Sequence, residues 1–465
     1  MGIQYAGEFS LDQAFITTSN GDKLNIRSSI TQINLFEDIF KNNIHGSLML
    51  FDTQNFFSKS FIRGQDTIYL EISTPSISNN PSMVIKQYFL VNSIDFMEEG
   101  SVNNMLYQLS FTTKEHFKNE RLKISKGYQE SPTKIIETIL KSELDTKKPI
   151  LVEASKNIKR VVFTNKKPFD AIRQIMQEAV SKINDSPSYL FYETTKGFKC
   201  TTLTNLFSQE PLFDFNAGEV ATLDGEGPKH VNVIKAFERA IDMQLNPSID
   251  SLLNTALGIF ASKSTKVNLY NKSHETNTYK YFDEFNRFIR SEGSQEKDNP
   301  IYNDDPIDDN ENNIGDFVDS KTYLHTTFEN EGKDMSHYSS LQNSYSFSPT
   351  EIGTNTFLTR SAKRREIDHM IEVKLHVKGH VGFEVGQTCT IKNPMKDESG
   401  KSIYQGKYLI TQLRHNFDVA QSNHEITMSI VKESTPNTIE KRGSINFNEV
   451  ANEPVGAIEF VEGIE

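Results

Sequence analysis

Few residues in this chain have the types and spacing that chemistry demands. Ser131-Pro-Thr-Lys134 has the Ser-x-x-Lys spacing of acyl-transfer enzymes, but no Ser-Asp-Asn or Lys-Thr-Gly accompanies it. A helix start with Ser131 as N-cap and Pro132 in the first turn explains the same residues. The carboxylate pairs Glu98-Glu99 and Asp304-Asp305 fall in turn-like or acidic stretches. A general acid needs a sheltered cleft that raises its pKa, and these pairs read as solvated. Hydrolysis of a glycan would need two carboxylates about 5–9 Å apart across a groove, so a cell-wall hydrolase is the lesser reading.

Metal chemistry is equally thin. Eleven histidines are scattered along the chain. A helix-to-strand change between His369 and His376 spoils a shared ligand face, whereas His415 and His424 flank a predicted hairpin and could face one another. Asp308, Asn310, Asn312, Asp316 and Asp319 follow calcium-loop spacing, but Asn313 stands where the tight turn wants Gly. The last position is Asp rather than Glu, and no amphipathic helices flank the run. A solvated acidic loop is the simpler reading. The strongest basic feature is Arg360, Lys363, Arg364 and Arg365 on a predicted helix, where residues three or four apart share a face. It reads as a carboxylate-paired helix or as an inter-subunit contact. No catalytic, cofactor-binding or metal residue is assigned, and no cofactor is expected.

Composition narrows the classes further. The 465 residues carry 50 Lys+Arg against 62 Asp+Glu, a formal net charge of −12. Binding to a phosphate backbone needs a basic face, so nucleic acid is not the main partner. No apolar run approaches the ~20 residues that span a bilayer, and the start MGIQYAGEFSLDQAF lacks the order of a signal peptide. Cys200 and Cys389 lie in strand-like runs and read as reduced core cysteines. A soluble, reducing compartment without membrane insertion is expected.

The elements that must position these residues are mostly strands, giving an α+β, β-dominated fold. Residues 1–113 alternate apolar and polar over 24–35, 44–51, 67–73, 84–96 and 104–113, the pattern of a barrel or sandwich. Residues 114–224 read as a small α+β domain. One helix carries Ile135, Ile136, Ile139, Leu140 and Leu144 inward; a second follows Pro168 with Phe169, Ile172, Ile175, Met176, Ala179 and Ile183 inward. A hairpin turns at Lys196-Gly197. Residues 225–434 return to strands, at 231–237, 266–270 and 371–434. A short helical run at 249–260 and a helix at 356–370 interrupt them. Within this block, 291–316 is too poor in apolar residues to offset ordering entropy, which predicts a partly disordered excursion running to about 349. Residues 435–465 read as an exposed arm.

Self-similarity adds a stronger signal. Phe89–Lys114 can be laid on Tyr408–Glu433 without a gap, matching Leu90 with Leu409, Ile94 with Leu413, Tyr107 with Ile426, Leu109 with Met428 and Phe111 with Ile430. Upstream, Gly64-Gln65 before TIYLEI matches Gly386-Gln387 before TCTIK, and IHGSLMLF matches IEVKLHV. The expectation is two similar antiparallel β-barrels with the α+β domain inserted between them.

In this order of features the chain resembles the central baseplate hub proteins of contractile-tailed phages. That superfamily also holds the late-control tail proteins and the hub portion of type VI spike proteins. The resemblance runs over about 24–434 and is carried by ITQINLFEDIFKNNIHGSLMLFDTQNFFSK (30–59), the helix–hairpin–strand order of 165–203, TRSAKRREIDHMIEVKLHVKGHVGFEVGQTCTIKNP (359–394) and GKYLITQLRHNF (406–417). It implies tail-tube-type barrels and a homotrimer whose six barrels form a ring. It also implies binding to a trimeric tail spike protein and to a tail tube or tube-initiator protein. A tape-measure protein and the baseplate wedge are further implied neighbours, with DNA only passing through the channel. The implied location is the virion tail baseplate, assembled in the host cytoplasm. A phage-derived injection system or bacteriocin would fit the same pattern. The long β-helical spike that follows in type VI proteins has no counterpart up to Glu465.

Overall fold

The computed structural model describes residues 5–436 apart from 54–61, 63, 76–83, 102–103, 157, 217–236, 248, 270–271, 295, 297, 309, 328–352 and 393–401. The strands, in chain order, are β1 (Ser10–Thr17), β2 (Lys23–Asn25), β3 (Ile30–Asp38), β4 (His45–Asp52), β5 (Thr67–Ser73), β6 (Val84–Ser101), β7 (Asn104–Thr113), β8 (Ile124–Glu130), β9 (Ile150–Val152), β10 (Lys159–Lys166), β11 (Tyr189–Thr194) and β12 (Gly197–Thr202). They continue with β13 (Phe213–Asn216), β14 (Ala240–Pro247), β15 (Ala261–Asn268), β16 (Ser273–Lys280), β17 (Asn299–Pro300), β18 (Thr322–Thr327), β19 (Ile371–Lys378), β20 (Thr388–Lys392), β21 (Gly406–Asp418), β22 (Asn423–Lys432) and β23 (Ser434–Thr435). The helices are α1 (Lys114–Arg121), α2 (Pro132–Thr138), α3 (Pro168–Met176), α4 (Leu203–Phe207), α5 (Ser251–Leu257), α6 (Tyr281–Glu284) and α7 (Gly353–His369). None of the described helices is long and apolar enough to cross a membrane.

Thirteen strands belong to one sheet, whose path runs β14-β19-β22-β21-β3-β4-β7-β6-β5-β1-β2, with β13 and β20 branching from β21. Both predicted β regions therefore contribute to a single hydrogen-bonded surface. No pairing among the described strands closes either region into a barrel. The physical reason is that the edge of β3 pairs with β21 of the other region instead of with its own. Alternation in sequence reports which face of a strand is buried, and it carries nothing about which edge meets which.

Register tests the internal repeat residue by residue. In β6–β7, Leu90 faces Thr112 and Val91 faces Phe111; after a bulge, Ser93 faces Ser110 and Ile94 faces Leu109. In β21–β22, Leu409 faces Val431 and Ile410 faces Ile430; after a bulge, Gln412 faces Ser429 and Leu413 faces Met428. The flanking strands agree as well. His45 faces Thr112 as Glu372 faces Val431, and Leu48 faces Leu109 as Leu375 faces Met428. Ile30–Leu50 and Gln32–Met49 bracket a bulge in β3–β4, as Ala240–Val377 and Asp242–His376 do in β14–β19. Even the hydrogen bond from Val91 N–H to the Asp66 carbonyl has its twin, from Ile410 N–H to the Gln387 carbonyl, both 2.9 Å. Because a one-residue slip would turn every core side chain outward, register agreement through two bulges is a demanding match.

Three cores lie under these elements. One sits beneath the first ladder around Leu48, Phe89, Leu109 and Phe111, and one beneath the second around Val373, Leu375, Tyr408 and Met428. The third fills residues 124–200, where the Ile135, Ile136, Ile139, Leu140 and Leu144 stripe is fully buried. Ser131 is the N-cap of α2, though its side chain makes no capping hydrogen bond. In α3, Phe169, Ile172 and Ile175 are buried as expected, but Ile183 is 77% exposed. The helix ends at Met176, so Ile183 falls in the turn beyond it and off the helical face.

Other expectations need correcting. Strand β1 lacks the alternation that marks a strand in sequence, because its pairing with β5 shifts between Leu11 and Gln13 and puts Leu11 out of step with Ala14 and Ile16. Glu98 lies in the long strand β6 and not in a turn. The 291–316 segment is anchored: Ser291 and Asp298 are buried, and Asn299–Pro300 pairs with Ser434–Thr435. Residues 231–236, 328–349 and 437–465 lie outside the described residues.

Candidate assembly interface

The residues that join the two ladders are the most specific feature of this structure. Seven pairs link β3 and β21 antiparallel, from Gln412 opposite Asp38 to Asp418 opposite Gln32. Side chains reinforce the seam. The Arg414 guanidinium donates to Asn34 Oδ1 at 2.9 and 3.1 Å, and Gln32 Nε2 donates to Asn416 Oδ1 at 2.7 Å.

At one end of the seam, Glu37 is 1% exposed. One of its oxygens accepts the N–H of Thr195 in the β11–β12 turn at 2.8 Å, and the other accepts the N–H of Val385 at 3.1 Å. A single carboxylate thereby ties the first ladder to the small domain and to the second ladder. Burial, with nearby Glu384, pushes its pKa up to about 7. Glu193 does similar work nearby, accepting from Ile44 N–H at 3.2 Å and Thr113 Oγ1 at 2.9 Å while pairing with Lys148.

Helix α7 carries the basic cluster and packs against β15 and β16, touching β19 and β22 as well. Three of its four cations, Arg360, Arg364 and Arg365, border one cleft, and Lys363 is turned away from them. Arg360 reaches the Gln177 carbonyl after α3, and Arg365 reaches the Leu257 carbonyl at the end of α5. Arg364 packs 3.4 Å above the Phe40 ring and pairs with Asp368 at 2.7 Å. Arg173, Arg360, Arg364 and Arg365 together line a cleft of about 320 Å³. Lys363 points inward and is 2% exposed, and burial lowers its pKa to about 8.

Beneath Lys363 lies a charged core that sequence reasoning missed. Arg290 is 1% exposed and its guanidinium pairs with Glu366 at 2.8 Å, approaches Glu433 at 3.6 Å and sits 4.1 Å above the Phe285 ring. Asp298 accepts the N–H groups of Arg290 and Glu292 at 3.0 and 2.7 Å. Arg290 stands just before the acidic stretch 291–316 with Arg287 close by, and its carboxylate ion-pair partners Glu366 and Glu433 lie 76 and more residues away.

The remaining sequence candidates are dispersed. Lys134 pairs with Glu137 at the surface, 3.1 Å away, so its ammonium is not directed to Ser131. Asp308 accepts the N–H groups of Asn310 and Asn312, Asp316 pairs with Lys280, and Asp319 pairs with Lys263, so the calcium-like carboxylates have separate partners. Among the described residues no group of three or more His, Cys, Asp or Glu could hold a metal ion. His376 pairs with Glu425 at 3.0 Å. His415 and His424 do meet: Nδ1 and Nε2 are 3.0 Å apart and both rings are fully buried. Gly379 makes room for them, because a Cβ there would lie 2.7 Å from the His424 ring. Cys200 and Cys389 are free and buried.

Comparison with known proteins bears on the fold. No family model matches the sequence, and no curated protein matches it. Among solved structures, the chain is similar to the 43 kDa tail protein of prophage MuSo2 from Shewanella oneidensis, with a TM-score of 0.51 and 10% identity over 90% of this chain and 98% of that one. It is also similar to the tail protein from Neisseria meningitidis MC58, with a TM-score of 0.50 and 9% identity over 92% of this chain and 98% of that one. The chain shares its fold with these two tail proteins, in keeping with the resemblance read from the sequence.

Proposed function

We propose that this chain is the structural hub of a contractile phage tail baseplate. Three copies form a ring that adapts a six-fold tail tube to a three-fold spike and lines the central channel. The observation that carries this reading is the repeated ladder and its internal seam: one chain holds two register-matched units joined edge to edge. Three such chains present six similar units to one partner and keep true three-fold symmetry for another. The fold shared with two tail proteins supports the setting.

In this reading the role is geometric: the chain sets where its partners meet. Obligate ring interfaces bury about 2,000–5,000 Å², enough to hold a trimer alone or one completed by the spike. The net charge of −12 supports a neutral or acidic channel wall, which would let DNA pass without holding its phosphates. Tape-measure protein and wedge are the further neighbours of such a hub. A hub in a phage-derived injection particle or bacteriocin would need the same geometry.

The test is light scattering and particle imaging of the full chain, alone and with its spike. A three-fold ring about as wide as a tail tube is expected. Monomer under both conditions overturns the proposal.

A further inference from the structure

The internal seam specifies a second one. We infer that residues 243–247 of β14 in one copy of this chain pair antiparallel with residues 94–99 of β6 in the next copy, in the register of the β3–β21 ladder. The inference rests on the ring reading and adds to it the surfaces and their alignment.

Each strand of the internal seam has a counterpart in the other repeat. Strand β3 corresponds to β14, since both pair with the next strand through the same bulge. Strand β21 corresponds to β6 by the shared hairpin register. Within the chain only one of the two possible junctions is made, β3 with β21. The edges that would make the other are open among the described residues. Strand β14 pairs only with β19, and residues 93–99 pair only with β7, because β5 takes residues 84–90. Long open edges invite uncontrolled pairing, so a stable protein is expected to cover them. The partner that fits both is a second copy of this chain, which carries the complementary edge already shaped by the same fold.

The register follows by transfer. A second bulge in β6, after Ile94, sets Asp95 aside, where Ser93 and Gln108 hold its carboxylate at 2.7 and 3.1 Å. Beyond it, Glu98 faces Leu106 as Asn416 faces Glu425, so Glu98 takes the place of Asn416. Gln244 takes the place of Asn34, which faces Asn416 in the internal seam. The new seam therefore sets Glu98 opposite neutral Gln244, and both side chains are exposed in the single chain. A slide by two residues would oppose Glu98 to Asp242, and like charges directly across a ladder are destabilising.

The experiment is a paired-cysteine variant, Glu98→Cys with Gln244→Cys, in the full chain. Cys200 and Cys389 are buried and do not compete. Facing Cα atoms about 4.5–5.5 Å apart permit a disulfide. Mild oxidation is expected to give covalent dimers and trimers on a non-reducing gel. The slipped pair Glu98→Cys with Asp242→Cys should give at least about ten-fold less. Hydrogen exchange on the unaltered chain provides a second reading: in the trimer, amides of 94–99 and 243–247 should exchange at least about ten-fold more slowly than in the dissociated chain. A trimer by light scattering with no such cross-link and no such protection overturns this seam and leaves the ring standing. Monomer at every concentration, with and without spike, overturns both.

Discussion

Glu37 Oε2 accepts the backbone N–H of Val385 at 3.1 Å, across 348 positions of chain. Its other oxygen holds Thr195, so three parts of the molecule meet on one carboxylate that solvent barely reaches. This contact fixes how the two repeated ladders are set against each other, which is what a ring of defined size requires.

Glu37 should make stability fall as pH rises. Its folded pKa is about 7 against 4.5 for an ordinary glutamate, so between these values the unfolded chain gives up a proton that the folded chain keeps. The loss through that window is on the order of 3 kcal/mol for a group buried this fully. Urea unfolding of the wild type and of Glu37→Gln at pH 5 and pH 8 should show a smaller pH difference in the variant. An equal difference in both would assign the slope to other groups.

The His415–His424 pair should act in the opposite sense. Burial holds His415 down to about 3 and His424 well below its ordinary value, so the unfolded chain takes up protons first as pH drops below about 6.5. Stability from this pair is complete above that pH and is lost progressively toward pH 3. His380, also held low by burial, adds to the same slope. The double variant His415→Leu with His424→Leu should unfold with a shallower acid limb in a thermal series from pH 7 to pH 4.

Gly46 and Phe111 face one another in the first ladder where Val373 and Ile430 face one another in the second. A Cβ on Gly46 would lie 2.6 Å from the Phe111 ring and 2.4 Å from the Asn34 carbonyl. Gly46→Val should destabilise by about 3 kcal/mol or more through overpacking. Adding Phe111→Ile, which transplants the second-ladder pair, should recover part of that loss. A double-mutant cycle by chemical denaturation reads the coupling; strict additivity would mean that the two sites are not volume-matched.

Arg290 is the linchpin of the charged core under α7. Arg290→Ala leaves Glu366 and Glu433 buried without their counter-charge, a loss of about 3–5 kcal/mol. Arg290→Met with Glu366→Leu should be better tolerated than Arg290→Ala alone, because it strands one buried carboxylate, Glu433, and not two. Melting temperatures of the three proteins decide the order.

Much of this molecule was legible in the chain. The i, i+4 stripe of α2 and the alternation of Leu48 and Leu50 reach burial as written, because side-chain period fixes which face an element hides. The hairpin of β11 and β12 appears where Gly197 supplies a backbone with φ of 138°, its two-residue turn being Thr195-Lys196. The repeat itself was readable from Phe89–Lys114 against Tyr408–Glu433, since register depends on where the apolar positions fall.

What the chain could not reveal were relations between distant edges and buried charges. Nothing in ITQINLFED says that its free edge will meet GKYLITQLRHNFD instead of closing its own ladder, because backbone donors and acceptors are the same at every residue. Nothing local to Arg290, just before the acidic stretch 291–316, announces Glu366 and Glu433, which only the fold brings beside it. Local sequence set the elements and their inward faces. Packing over hundreds of residues decided that two ladders become one sheet, and which charges are carried inside it.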